Sequence, residues 1–168
     1  MPRRHALPDL WLFTDNRQGD ALWSAIGRLP KGRAGVIVRT STHFDRIRTI
    51  CRARRLIFIV AGTAKLARAV KADGFHGRHR GALTAPAHNQ REVIQAQRAG
   101  VRLIFISPVF PTRSHPGAPA LTPVRFGLLA NRSNIAVAAL GGMTAKRYQS
   151  LRKLGAVAWG AVDALTRS

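Results

Sequence analysis

The chain has 168 residues, an apolar fraction of 46%, and 28 Lys plus Arg against 7 Asp plus Glu, which gives a formal net charge of +21. That length suits one domain with a real core, so residues 1–168 are read as a single domain, and the apolar content excludes a wholly disordered chain. No apolar run approaches the roughly 20 residues that cross a bilayer, and the basic start, Met1 to Pro8, leads only into a short apolar segment broken by Asp15, Asn16 and Arg17. Neither a membrane span nor a cleaved signal peptide is expected, and the cytoplasm is the default location.

Short apolar runs then alternate with longer amphipathic segments. Leu10 to Phe13 reads as a first strand, ended by Thr14-Asp15-Asn16, and Ala21 to Arg28 as a helix. Gly35 to Val38 is a second strand. Phe44 to Arg55 is a helix with Phe44, Ile47, Ile50 and Cys51 at helical spacing, and Cys51, the one cysteine, reads as a small buried residue there. Leu56 to Val60 is a third strand, Thr63 to Val70 a helix, Gly74-Phe75-His76 a short fourth strand, and Ala82 to Thr84 a weak fifth. Asn89 to Ala99 is a helix closed by Gly100, followed by a sixth strand, Val101 to Ile106. That strand spills into Ser107-Pro-Val-Phe-Pro-Thr-Arg-Ser-His-Pro-Gly-Ala-Pro119, where four prolines and a glycine forbid further regular structure. Ile135 to Leu140 is a seventh strand before Gly141-Gly142, Ala145 to Leu154 a helix, and Val157 to Trp159 an eighth strand.

Strands apolar on both faces and separated by helices imply a parallel sheet covered on both sides. Eight such units suggest an α/β fold, a closed (β/α)8 TIM barrel, compact and with some helices short or missing because the chain falls below the usual ~200 residues. An open doubly wound sheet is the alternative, but the Gly-rich turn it expects after the first strand is absent.

In a barrel, binding groups belong on the loops after the strands. The loop after the sixth strand offers Ser107, Thr112, Arg113, Ser114 and His115, hydroxyls and cations suited to an anion. Gly141-Gly142 lets backbone amides approach a phosphate, and a second helix start after Gly160 would set another group of amides beside it. Asp15, Asp73 and Asp163 show no spacing for magnesium or an acid–base pair, and Asp73, just before a strand, reads as structural. The six histidines show no metal-ligand spacing, so the residues themselves give no metal site. The charge should attract phosphorylated metabolites and, non-specifically, nucleic acid. The 23 arginines are scattered along the chain, and no nucleic-acid reading element accompanies them.

Three segments together resemble the thiamine phosphate synthase family, which also includes the thiazole tautomerases. The loop from Ser107 is similar to the family's Gly-Pro-(Ile/Val)-Phe-x-Thr-x-Thr-Lys-x-Gly. Ala136-Val-Ala-Ala-Leu-Gly-Gly-Met143 is similar to its Pro-Val-Val-Ala-Ile-Gly-Gly-Ile, and Ala69-Val-Lys-Ala-Asp-Gly-Phe-His76 to its Ala-x-Gly-Ala-Asp-Gly-Val-His. The resemblance implies a TIM barrel that joins a hydroxymethylpyrimidine diphosphate to a thiazole phosphate, with these small phosphorylated ligands as partners and a homo-oligomer left open. It implies that Thr112, Ser114 and His115 hold the diphosphate, that Gly141 and Gly142 belong to the thiazole-phosphate loop, and that Asp163 stands where the family has a phosphate-binding Ser. Arg39 falls on the Arg of the family's Gln-x-Arg, with Ile37 for the Gln, and Arg39 and Ser107 are the candidate catalytic residues.

The family's magnesium is bound by two aspartates. The first belongs to an Asn-Asp-Arg that is Ala61-Gly62-Thr63 here, and the second aligns with Gly81. Magnesium is therefore doubtful in this chain, and Arg78, His79 or Arg80 would have to neutralise a departing pyrophosphate in its place. The tautomerase histidine falls on Pro108. Three readings stay open: a synthase-like transferase, degenerate if the metal is required; a tautomerase-like or non-catalytic phosphate-ligand binder; and an Arg-rich binder of nucleic acid or acidic partners.

Overall fold

The apolar runs become eight parallel strands in a computed structural model that describes residues 7–40, 43–113, 117 and 119–165. They are β1 (Leu10–Phe13), β2 (Ala34–Val38), β3 (Ile57–Ala61), β4 (Gly74–His76), β5 (Thr84–Ala87), β6 (Leu103–Ile106), β7 (Ala136–Ala139) and β8 (Ala156–Ala161). Each pairs with the next and β8 pairs with β1, so the sheet closes into a barrel. Six helices connect them: α1 (Ala21–Arg28), α2 (Phe44–Ala53), α3 (Ala64–Ala69), α4 (Gln90–Ala99), α5 (Thr122–Asn131) and α6 (Ala145–Arg152). The (β/α)8 expectation holds, including its missing helix: residues 77–83 join β4 directly to β5. Among the described residues no helix is long and apolar enough to cross a membrane.

Local chemistry sets the ends of the helices. Thr63, Asn89 and Thr144 cap α3, α4 and α6 by accepting the amides of Leu66, Glu92 and Arg147, satisfying donors that the first turn leaves orphaned. Gly100 closes α4 in the left-handed conformation. α2 stops at Ala53 rather than running to Arg55, whose φ of 54° no helix accommodates.

Alternation along the strands divides the core. Trp11, Phe13, Ile37, Ile59, Leu103 and Phe105 fill the barrel interior, while Leu12, Val36, Val38, Ile104 and Ile106 face the helices and join Ile26, Ile47, Val93, Phe126 and Leu151. The interior is built on paired large and small residues. Trp11 registers with Gly35 on β2, and its ring covers the place where a side chain would be; Gly160 on β8 likewise yields to Phe13. Phe105 meets Trp11 and Phe13 edge to face, with ring centroids 5.9 and 4.9 Å apart. His76 closes this layer, bonded through Nδ1 to Thr84 Oγ1 at 2.8 Å and set edge-on to Phe13 and Phe105.

Two elements differ from the sequence pattern. The fifth strand is Thr84–Ala87, not Ala82 to Thr84, and includes Pro86. A proline usually argues against a strand because it cannot donate to the ladder. Here the Ala87 carbonyl accepts from Ser107 on the β6 side, so Pro86 faces β4, whose pairing with β5 is confined to His76 and Thr84. α5 lies where the sequence pattern assigned no element. Val124 and Leu128 point outward while Phe126 and Ala130 point inward, so its apolar residues surround the helix and blur the 3.6 period. Asp73 proves structural as expected: its carboxylate and amide clasp the amide and carbonyl of Phe58 at 2.8 Å each. Cys51 is buried on α2, and burial pushes its thiol pKa up to about 12.

Two outcomes follow for stability. Gly35→Ala would set a Cβ 2.3 Å from the Trp11 ring and should cost about 1–3 kcal/mol, read from urea unfolding. Burial, reinforced by the positive charges of Arg39 and Arg78, lowers the His76 pKa from 6.5 to about 4. Between those values the unfolded chain binds the proton and the folded chain does not, so stability falls as pH drops through that window, by about 3 kcal/mol. His76→Gln should flatten that limb of a stability–pH curve.

Candidate functional site

The loops after the strands enclose a cavity of about 780 Å³ at the C-terminal mouth of the barrel, bordered by the loops after β2, β5, β6, β7 and β8. Arg39, Ser107, Thr112, Gly141, Gly142 and Asp163, separated by up to 124 positions in sequence, all line it. Ser114 and His115 lie outside the described residues.

Arg39 follows β2 and is half-buried. Its Nε donates to Thr14 O at 2.8 Å and its Nη2 to Asp15 Oδ2 at 3.0 Å. Asp15 also takes Arg17 through both carboxylate oxygens, at 2.8 and 3.0 Å, and Arg17 reaches Asp163 Oδ1 at 3.7 Å. Hydrogen bonding from Arg17, with the charges of Arg17 and Arg39, holds the Asp15 pKa at about 2. Burial lowers the Arg39 pKa, the Asp15 charge opposing it, and arginine stays protonated. Asp163, expected to set one anion against another, thus faces the cavity with Arg17 at its side. The helix start expected after Gly160 is a single 3-10 turn, Asp163–Leu165.

Gly141 and Gly142 have φ of 91° and 60°, which glycine adopts freely. They are also pressed against the loop after β6: a Cβ on Gly141 would lie 2.7 Å from Pro108, and one on Gly142 2.5 Å from the Pro111 carbonyl. Val109 and Phe110 donate their amides to Leu140 O and Gly141 O at 2.9 and 3.2 Å, joining the two loops.

The cavity is lined by further residues, of which His88 and Arg113 lie on loops that the sequence marks for binding groups, while Arg125 and Arg147 lie on helices and were not selected. His88, at the end of β5, approaches the Ser107 carbonyl with Nδ1 at 2.7 Å. A carbonyl only accepts, so Nδ1 carries a proton. Arg125 on α5 and Arg147 on α6 also line the cavity, as does Arg113 of the loop after β6. Loop position gave no signal for the two helical arginines, and among 23 arginines none stands out by type. Arg147 lies over the Phe110 ring, 4.4 Å from its centroid, and donates to Gly142 O.

Gly62 and Gly81, the positions at which the family resemblance leads one to expect magnesium-binding aspartates, have φ of 140° and 87°, and no group of three His, Cys, Asp or Glu stands together among the described residues. Nor do residues 78–80 reach the cavity: Arg78 is paired with Glu92 at 3.0 Å, and Glu92 also accepts the His88 amide.

A sequence model of the thiamine monophosphate synthase family matches residues 39–165. The chain is 28% identical over 184 aligned residues to a thiamine biosynthesis bifunctional protein of Geobacter sulfurreducens, covering 93% of this chain and 36% of that protein. It is 26% identical to a putative thiamine-phosphate synthase of Aquifex aeolicus, over 89% of this chain and 93% of the relative. The chain thus spans about a third of the first relative and nearly all of the second. In fold it is similar to a thiamine phosphate pyrophosphorylase from Pyrococcus furiosus, with a TM-score of 0.79 over 95% of this chain and 88% of that one at 19% identity. A closed eight-stranded parallel barrel and a family match over three quarters of the sequence lead to one conclusion: the chain belongs to the thiamine monophosphate synthase family.

Proposed function

We propose that this chain is a thiamine phosphate synthase-type transferase that takes a phosphorylated pyrimidine and a phosphorylated thiazole at the C-terminal mouth of its barrel. The observation that carries the reading is the charge of the cavity wall: Arg39, Arg113, Arg125 and Arg147 face it against one carboxylate among the described residues, Asp163. Guanidinium groups match phosphate oxygens in geometry and hold their charge at any working pH. In the reaction the thiazole nitrogen bonds to the pyrimidine methylene carbon as its C–O bond breaks. The leaving diphosphate takes the electron pair, so negative charge grows on its oxygens. Arg39, braced by Thr14 and Asp15, and buried Ser107 supply fixed donors there. Thr112 and the Gly141–Gly142 turn, on two joined loops, complete the phosphate surroundings.

A second reading, ligand binding without transfer, is favoured by Gly62 and Gly81 in place of the metal-binding acids. Incubating the purified chain with both phosphorylated substrates, with and without magnesium, separates the two. Thiamine phosphate formed under either condition supports transfer. Ligand binding with no product at any metal concentration leaves a binder, and absence of both removes the proposal. Asp163→Ser should tighten binding of the thiazole phosphate about fivefold, the equivalent of about 1 kcal/mol for one screened charge at the wall, checked by titration calorimetry.

A further inference from the structure

We infer that Arg113, Arg125 and Arg147 form a diphosphate site that works without a divalent metal, a role that rests on reading the cavity as the ligand site. Three elements bring them together: the loop after β6, the start of α5 and the first turn of α6. None of the three has a carboxylate partner among the described residues, in contrast to Arg17 and Arg39, which share Asp15. Cations gathered around one concavity repel one another unless an anion or water stands between them, so the arrangement favours a ligand of high negative charge.

Arg147 is placed for such a ligand. Thr144 accepts its backbone amide at the start of α6, Phe110 supports the flat face of its guanidinium, and one Nη donates to Gly142 O. Its other N–H donors remain for phosphate oxygens. The chain therefore carries glycine where acids would recruit a metal cation and arginine around the cavity that a charged ligand enters. Guanidinium groups supply directly the positive charge that a bridging ion otherwise contributes.

The sign of the magnesium effect distinguishes the two designs. Magnesium complexes pyrophosphate in solution and lowers its charge, so it should weaken binding to an all-arginine site and strengthen binding to a metal-dependent one. Titration calorimetry of the purified chain with inorganic pyrophosphate and inorganic phosphate, at constant ionic strength, in EDTA and then in magnesium, reads this directly. Pyrophosphate should bind in EDTA about tenfold more tightly than phosphate and lose affinity with magnesium. Arg125→Gln and Arg147→Gln should each lower that affinity about tenfold, while Arg52→Gln, at an exposed position on α2 outside the cavity, should leave it unchanged. Binding that requires magnesium, an equal loss with Arg52→Gln, or no pyrophosphate binding at all overturns the inference. If the two phosphorylated substrates are still coupled while pyrophosphate requires magnesium, the transferase reading stands and this inference alone falls.

Discussion

The carboxylate of Asp15 holds one side of the barrel mouth in register. It takes Arg17 by two hydrogen bonds and Arg39 by a third, while the Asp15 amide is received by the side chain of Gln18. Gln18 donates in turn to Phe13 O and Val162 O, joining the ends of β1 and β8. The seam where the barrel closes therefore depends on one short polar cluster after β1. In a chain of +21, two arginines beside each other at this seam would repel; Asp15 makes their neighbourhood favourable and fixes the direction of Arg39.

The few acids of the chain are otherwise spent largely on structure. Asp73 clasps Phe58 at the base of β3, and Glu92 ties the loop after β5 to Arg78 and to the His88 amide. Asp163 remains at the cavity, softened by Arg17. A wall in which cations outnumber anions this strongly has its preference for charge written into composition as well as geometry. The same excess of arginine is what makes any single cation hard to single out.

Much of the fold could be read from the sequence because the strands are buried on both faces and so appear as continuous apolar runs, as in Leu10–Phe13 and Ile57–Ala61. The fifth strand was displaced because Pro86 conceals it, and α5 escaped because Val124 and Leu128 put apolar side chains on its solvent face. Loop chemistry and motif drew attention to Ser107, Thr112, Gly141 and Gly142, all of which line the cavity. The loop position of His88 was legible too, but its contact with the Ser107 carbonyl was not, since only closure of β5 against β6 creates it. Arg125 and Arg147 line the cavity from helix starts, and nothing in linear spacing shows that α5 and α6 turn those starts toward it.

The seating of Gly141 and Gly142 against Pro108 and Pro111 ties residues 108–111 to the turn after β7. Neither contact has room for a methyl group. A side chain larger than glycine at either position would therefore disturb both walls of the cavity at once, not only the loop that carries it.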